Sequence, residues 1–117
     1  MFAAKFRAPV CVVRAGEPCD GIEGIVIVPQ FSVRQYRVDF LIIMQAPDGP
    51  SVSVLVECDG HNFHERTPEQ AMKDRERDRA LSLDGWRLLR FTGREIRRRP
   101  ERCAREICHH LATLMGF

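Results

Sequence analysis

The stretch YRVDFLIIM (residues 36–44), followed after the turn segment APDGP (46–50) by SVSVLVECD (51–59), decides the fold of this chain. The two longer segments are rich in β-branched and other apolar residues and are bounded by turn residues, which predicts two consecutive β-strands. Successive side chains of a strand point to opposite faces, so Val38 and Phe40 are predicted to share one face.

Carboxylates interrupt both of these apolar strands. Asp39 is enclosed by apolar neighbours, while Glu57 and Asp59 lie two residues apart at the end of the second strand. Converging carboxylates repel one another unless a cation or a shared proton compensates. Because Mg²⁺ is usually held by one or two carboxylates together with water and phosphate oxygens, the pattern predicts a Mg²⁺ or Mn²⁺ site. Simpler alternatives stay open: Asp39 can pair with Arg37 or with an arginine of a later strand, and Asp59 begins a common Asp-Gly turn pair.

The segments around this pair predict two further strands. IEGIVIV (22–28) is a strand candidate that ends at Pro29, and FSVRQ (31–35) is predicted to be the turn that follows it. WRLLRF (86–91) is a strand that comes directly after a helix, which is typical of a crossover back into the same sheet.

Two helices are predicted after residue 66. Thr67 and Gln70 form a capping-box pattern, Pro68 falls at the first helical position, and Asp84-Gly85 is a C-terminal stop. The interleaved charges of MKDRERDRALSL (72–83) predict a mostly solvated, salt-bridged helix face. A last helix begins at Pro100, and its apolar positions follow helical spacing. They are Cys103, Ala104, Ile107, Cys108, Leu111, Leu114 and Met115.

These elements predict an α/β fold in which helices cover the faces of a mixed sheet of about four strands. The length of 117 residues predicts a single domain over residues 1–117, in which residues 1–21 are poorly predictable. No apolar run approaches the ~20 residues that a membrane-spanning helix needs. Because the N-terminus also lacks the apolar run of a secretory signal, a cytoplasmic protein is expected.

The net charge of +2 conceals an asymmetry along the chain. Residues 1–85 carry ten Lys or Arg against thirteen Asp or Glu, whereas residues 86–117 carry eight arginines against three glutamates. Arginine suits bidentate contacts to phosphate, so the C-terminal part is the one predicted to face a phosphate backbone. A solvated helix face is the alternative.

The five cysteines include no C-x-x-C pair, which favours reduced thiols. Cys58, His61 and His64 lie at three-residue intervals and form an alternative, zinc-binding set. No fourth ligand is evident for that set, whereas structural zinc sites have four.

The segments YRVDFLI, VLVECDGHNFHERT, DRERDRAL and GWRLLRFTGREI together resemble the PD-(D/E)XK nuclease superfamily, in particular its small proteins akin to very-short-patch-repair endonucleases. The resemblance covers roughly residues 24–96 and implies a restriction-endonuclease-like α/β/α sandwich. It also implies that Asp39, Glu57 and the backbone carbonyl of Cys58 bind the metal ion. Asp59 occupies the position at which the superfamily usually has a lysine.

The resemblance leaves the proton-transfer group open, because no lysine stands at position 59. His61 and His64, which titrate near neutral pH, and Lys73 on the following helix are the candidates. The family commonly supplies a glutamate from a helix before the first strand. That helix is not evident here, and Glu17 and Glu23 are the acids in the corresponding part of the chain.

The sequence therefore predicts a metal-dependent DNA endonuclease with Asp39, Glu57, Asp59, His61 and His64 at its catalytic centre. Basic residues on the predicted helices and near the C-terminus are expected to contact the DNA backbone. They are Lys73, Arg75, Arg79, Arg94, Arg97 and Arg98. The rival hypothesis is a catalytically inactive nuclease fold that binds nucleic acid or a partner protein, which the missing lysine favours and the retained acids oppose.

Overall fold

A computed structural model describes residues 10–13, 24–47, 50–59 and 67–116 of the chain. Within these residues, five strands and three helices are present. The strands are β1 (Val10–Val12), β2 (Gly24–Val33), β3 (Tyr36–Gln45), β4 (Ser51–Asp59) and β5 (Leu88–Thr92). The helices are α1 (Pro68–Leu83), α2 (Gly93–Arg98) and α3 (Pro100–Met115).

The strands form one mixed sheet in the order β1-β2-β3-β4-β5. The central strands β2, β3 and β4 pair antiparallel, whereas β1 pairs parallel with β2 and β5 pairs parallel with β4. A parallel pair needs a crossover connection, and α1 supplies it between β4 and β5. The predicted α/β class and mixed sheet are confirmed. The strand β1 lies in the N-terminal segment for which the sequence predicted no element.

The predicted turn at FSVRQ (31–35) is wrong in its first part. Residues 31–33 continue β2, and the turn is confined to Arg34 and Gln35, where Arg34 adopts a left-handed backbone with φ 55°. Pro29 does not end the strand because β1 pairs only with residues 25–27 of β2. The missing N–H of Pro29 therefore falls outside that pairing.

The helices pack on opposite faces of the sheet and create two hydrophobic clusters. The cluster on the α1 side contains buried side chains from β2, β3, β4 and α1. Its buried members are Val13, Val26, Val28, Val33, Val38, Leu41, Leu55 and Leu81. The cluster on the α3 side is centred on β3, β4 and α3. Its buried members are Ile25, Ile42, Met44, Val54, Val56, Phe91 and Leu111.

The predicted alternation of β3 is broken at Asp39. Val38 belongs to the α1-side cluster, while Phe40 packs against the α3-side cluster and Leu41 returns to the α1 side. The β2–β3 pairing skips Asp39 and Gln30, and Gln30 has a left-handed backbone with φ 53°. A residue in this conformation rotates the chain that follows it relative to the chain before it. The prediction that Val38 and Phe40 share one face is therefore wrong, and Asp39 lies at the change of face.

Two smaller differences concern the C-terminal helices. Ala104 is exposed, whereas Ala112 is buried, because the stripe that contacts the sheet is centred on Leu111. The helix α2 was not predicted, although Thr92 and Glu95 form a complete capping box at its start. Among the residues that the structure describes, no helix is long and apolar enough to cross a membrane.

Candidate metal centre and its arginine network

Asp39 lies where β3 and β4 separate. The ladder between these strands ends with Phe40 opposite Val56, and the same register continued by one residue places Asp39 opposite Glu57. There the carboxylate Oδ2 of Asp39 accepts a hydrogen bond of 2.6 Å from the backbone N–H of Cys58. A side-chain oxygen thus replaces a strand carbonyl as the acceptor. The hydrogen bond fixes Asp39 at the edge of the opening, by which we mean the gap between β3 and β4 beyond Phe40 and Val56.

Glu57 converges on the same point from β4. Its side chain is only 14% exposed, and the carboxyl group of Asp39 is close enough to affect its protonation. Burial raises the pKa of Glu57 above its usual value, the neighbouring Asp39 raises it further, and Arg77 and Arg90 oppose the shift. The two acids that the sequence predicted as ligands are therefore brought together, and the nearby arginines offset only part of the effect of burial and of the second carboxylate.

Arg77 reaches Glu57 from α1 and was not identified from the sequence. Its Nη1 lies 3.3 Å from Oε1 of Glu57, and its side chain is 17% exposed. The prediction of a mostly solvated, salt-bridged face describes most of the charges of α1, and Arg77 is an exception to it. A signal was available, because Asp74, Arg77 and Asp78 precede the fully buried Leu81 at helical spacings of seven, four and three residues and share its face.

Arg90 of β5 forms the second cationic point. Its guanidinium lies 3.0 Å from Oδ1 of Asp78, 3.8 Å from Oδ2 of Asp74 and 3.9 Å from Oδ2 of Asp59. Asp59 is therefore held towards Arg90, with a side chain that is 11% exposed. Arg90, an arginine of the predicted later strand, pairs with these three acids, whereas Asp39 accepts a hydrogen bond from the backbone N–H of Cys58.

Together these groups form an acid-rich network between the end of β4 and α1. Two guanidinium groups, those of Arg77 and Arg90, face five carboxyl groups. The acids are Asp39, Glu57, Asp59, Asp74 and Asp78. Carboxylates that converge in this way repel one another, so the arrangement of Asp39 beside Glu57 favours a cation close to them.

The donor set at the opening fits a hard divalent cation. Asp39 and Glu57 offer carboxylate oxygens, which are the ligands that Mg²⁺ and Mn²⁺ prefer. Within the described ranges, no cluster of three or more metal-ligating side chains is present. The described residues therefore offer two carboxylates, and backbone oxygen, water or substrate phosphate would complete the coordination, as is common for Mg²⁺.

The zinc alternative stays a prediction. Desolvation raises the pKa of the Cys58 thiol, and the nearby negative charges of Asp39 and Glu57 raise it further. A bound zinc ion would itself deprotonate a coordinating thiol. The other members of that set, His61 and His64, lie outside the residues that the structure describes, as do Glu17 and Glu23.

The predicted DNA contacts lie on two exposed surfaces. Lys73, Arg75 and Arg79 are exposed on α1, and Arg94, Arg97 and Arg98 are exposed on α2. Beside Arg90, a cavity of about 330 Å³ opens between α1 and β5. It is lined by Thr67, Pro68, Ala71, Asp74, Arg75, Asp78 and Arg90.

Comparison with protein families connects this geometry to a known group. The family described as REase_MTES_1575, which is restriction-endonuclease-like, matches residues 21–111, well over half of the chain. The chain belongs to this family. The membership supports the PD-(D/E)XK nuclease superfamily and agrees with the mixed sheet and flanking helices. The REase_MTES_1575 match spans the Asp39–Glu57 pair and both network arginines. Restriction-endonuclease-like proteins usually use divalent metals, and their nuclease character implies DNA as substrate. Searches of curated proteins and of solved structures found no match to the chain.

Proposed function

We propose that this protein is a metal-dependent DNA endonuclease that hydrolyses phosphodiester bonds and is related to the very-short-patch-repair branch of its superfamily. The observation that carries the proposal is the convergence of Asp39 and Glu57 where β3 and β4 separate. This arrangement occurs in a chain of a restriction-endonuclease-like family, so the acids stand in a fold used for nuclease chemistry.

In the proposed site, Asp39, Glu57 and the backbone carbonyl of Cys58 would hold Mg²⁺ or Mn²⁺. Such an ion would supply charge neutralisation at the scissile phosphate and would lower the pKa of a coordinated water. Asp59, which is held beside Arg90, would accept a hydrogen bond from the attacking water and orient it.

Proton transfer requires a further group, since an aspartate stands at position 59. His61 and His64 follow β4 directly in the chain, and a neutral imidazole can accept a proton at neutral pH. Lys73 lies on the exposed surface of α1 and is the third candidate. A single-residue comparison of cleavage rates among variants of these three residues identifies the group.

The exposed basic residues of α1 and α2 bind the phosphate backbone in this proposal. Arg75 and Arg79 are exposed on the helix that also carries Arg77, and Arg75 lines the cavity beside Arg90. Such contacts are independent of base sequence and set the position of the duplex.

The proposal is tested by incubating supercoiled plasmid with wild-type protein and Mg²⁺ or Mn²⁺, beside the variants Asp39→Asn and Asp84→Asn. Asp84 ends α1 two turns beyond Arg77 and pairs with Arg34, so it is a matched acid-to-amide control. Nicking or linearisation by wild type and Asp84→Asn, together with its loss in Asp39→Asn, is expected. Equal cleavage by Asp39→Asn refutes the assigned site.

One observation favours the second candidate, an inactive nuclease fold that binds nucleic acid. Arg77 already donates to Glu57, so a guanidinium gives this acid a cationic partner in the protein itself. Retained DNA binding without cleavage, in both Mg²⁺ and Mn²⁺, supports this candidate over the endonuclease.

A further inference from the structure

The buried position of the Arg77 guanidinium destabilises the fold. Its Nε is buried and has no hydrogen-bond partner, a condition that no other buried side-chain nitrogen or oxygen of the described residues shares. The nearest acidic atom that pairs with it, Oδ1 of Asp78, lies 3.7 Å away, which is beyond hydrogen-bond length. A buried donor without an acceptor destabilises the fold. Such a group is explained by function more readily than by stability.

The contact that Arg77 does make is directed at one atom of the metal site. Its Nη1 donates to Oε1 of Glu57 at 3.3 Å, and both side chains are less than one-fifth exposed. An ion pair in this environment is weakly screened by solvent. Because the guanidinium is rigid and planar, it restricts the rotation of the carboxylate that it holds.

The neighbours of Arg77 keep it in that position. Oδ1 of Asp78 lies 3.7 Å from Nε of Arg77 and also accepts a hydrogen bond of 3.0 Å from Arg90. The charges therefore alternate from Glu57 through Arg77 and Asp78 to Arg90. A shift of Arg77 away from Glu57 brings it no better acceptor among these partners.

We propose that Arg77 is the positioning residue of the metal site: its guanidinium holds one carboxylate oxygen of Glu57 and thereby presents the other beside Asp39 for the cation. The inference rests on the metal site of the proposed function and assigns Arg77 no contact with substrate. Residues that orient a metal ligand typically change metal affinity or activity by about 10- to 100-fold when they are replaced.

The test measures Mn²⁺ affinity by calorimetry for wild type, Arg77→Gln, Arg77→Lys and Arg102→Gln. Arg102 pairs with Glu106 on the exposed surface of α3, so Arg102→Gln removes one paired arginine elsewhere. Arg77→Gln is expected to weaken Mn²⁺ binding by about 10- to 100-fold. Arg77→Lys is expected to lose less, because it keeps the charge without the planar fork, and Arg102→Gln is expected to bind as wild type does.

Thermal unfolding in chelator shows whether each variant is folded. If Arg77→Gln does not fold, Arg77→Lys decides: an affinity equal to that of wild type overturns the inference. A wild-type affinity in folded Arg77→Gln also overturns it. In cleavage assays, saturating Mn²⁺ is expected to restore most of the rate of Arg77→Gln. A low rate that persists at saturating Mn²⁺ with unchanged affinity assigns Arg77 to substrate contact and overturns the inference.

The inference and the proposed cleavage fail in different ways. Wild-type protein that binds Mn²⁺ without cutting DNA refutes the cleavage, and weaker binding by Arg77→Gln then still supports the role of Arg77. Cleavage that depends on Asp39 but is accompanied by equal Mn²⁺ affinity in Arg77→Gln supports the enzyme and refutes the inference. Wild-type protein without Mn²⁺ affinity overturns both.

Discussion

Replacement of Asp39 separates the part that this residue plays in the fold from the part proposed for it in metal binding. In metal-free protein, Asp39→Ala removes the acceptor of the Cys58 N–H, at 2.6 Å. A hydrogen bond to a charged group contributes about 1.5–3 kcal/mol. Relief of the repulsion with Glu57 offsets part of this loss, so a net destabilisation of about 1–2 kcal/mol is expected. For a chain of this size, that lowers Tm by about 4–8 °C.

Asp39→Asn is expected to behave differently. The amide oxygen can still accept from the Cys58 N–H, while the repulsion with Glu57 disappears, so Tm in chelator is expected to remain within about 2 °C of wild type. Metal binding is expected to separate wild type from both variants. At a Mn²⁺ concentration 100 times Kd, binding stabilises wild type by about 2.7 kcal/mol, which corresponds to roughly 10 °C in Tm. Both variants are expected to lose this increment.

The assay is thermal unfolding of the three proteins in chelator and in a Mn²⁺ series. A full Mn²⁺-dependent rise in Tm for Asp39→Asn refutes the role of Asp39 as a ligand. Equal Tm values for Asp39→Ala and wild type in chelator refute the energetic contribution assigned to the Cys58 hydrogen bond. These two results are independent, so each part of the reasoning can fail alone.

Three further predictions address the charge, the core and the DNA surface. The folded-state pKa of Glu57 is raised by burial, so the stability linked to its protonation is present below its ordinary pKa and is lost as pH rises through the raised value. Glu57→Gln is therefore expected to raise Tm of metal-free protein at about pH 8 but not at about pH 4, and a pH-independent effect contradicts this. Leu81→Ala, at a fully buried position, is expected to lower the free energy of unfolding by about 2–5 kcal/mol. Leu83→Ala, at a position 87% exposed, is expected to change it by no more than about 0.5 kcal/mol. Denaturant unfolding of the two variants tests the packing of α1. Arg79→Gln is expected to weaken DNA binding and to reduce the slope of log K against log salt by about 0.9, and an unchanged slope removes this residue from the interface.

The strands and their acids could be predicted because a period of two and a strong apolar bias are local properties of the sequence. The bounds of β4 and the capping box of α1 agree with the prediction for this reason. The reversal of faces at Asp39 could not be read in this way, because it depends on the left-handed backbone of Gln30 in the neighbouring strand. Gln30 is neither glycine nor asparagine, so its sequence context gives no signal of that conformation.

The candidate site was predictable only in part. Acids that interrupt apolar strands are conspicuous in a sequence, whereas the arginines that accompany them lie on other elements. Arg77 is twenty residues from Glu57, and its helix carries so many charges that a solvated face is the ordinary interpretation. In the sequence, only the position of Leu81 on the same face distinguishes Arg77 from its neighbours. In the structure, that face of α1 packs against β4 and β5, which bring Glu57 and Arg90 to it.

The register that places Asp39 opposite Glu57 also bears on the order in which the chain folds. The β3–β4 hairpin joins the two acids across a short loop, so its contacts are local and its loop-closure cost is low. If the hairpin pairs before α1 packs, the two carboxylates approach each other without Arg77. On that order of events, we expect a divalent cation to accelerate refolding. The same two side chains that are proposed to bind the cation would then slow the folding of metal-free protein.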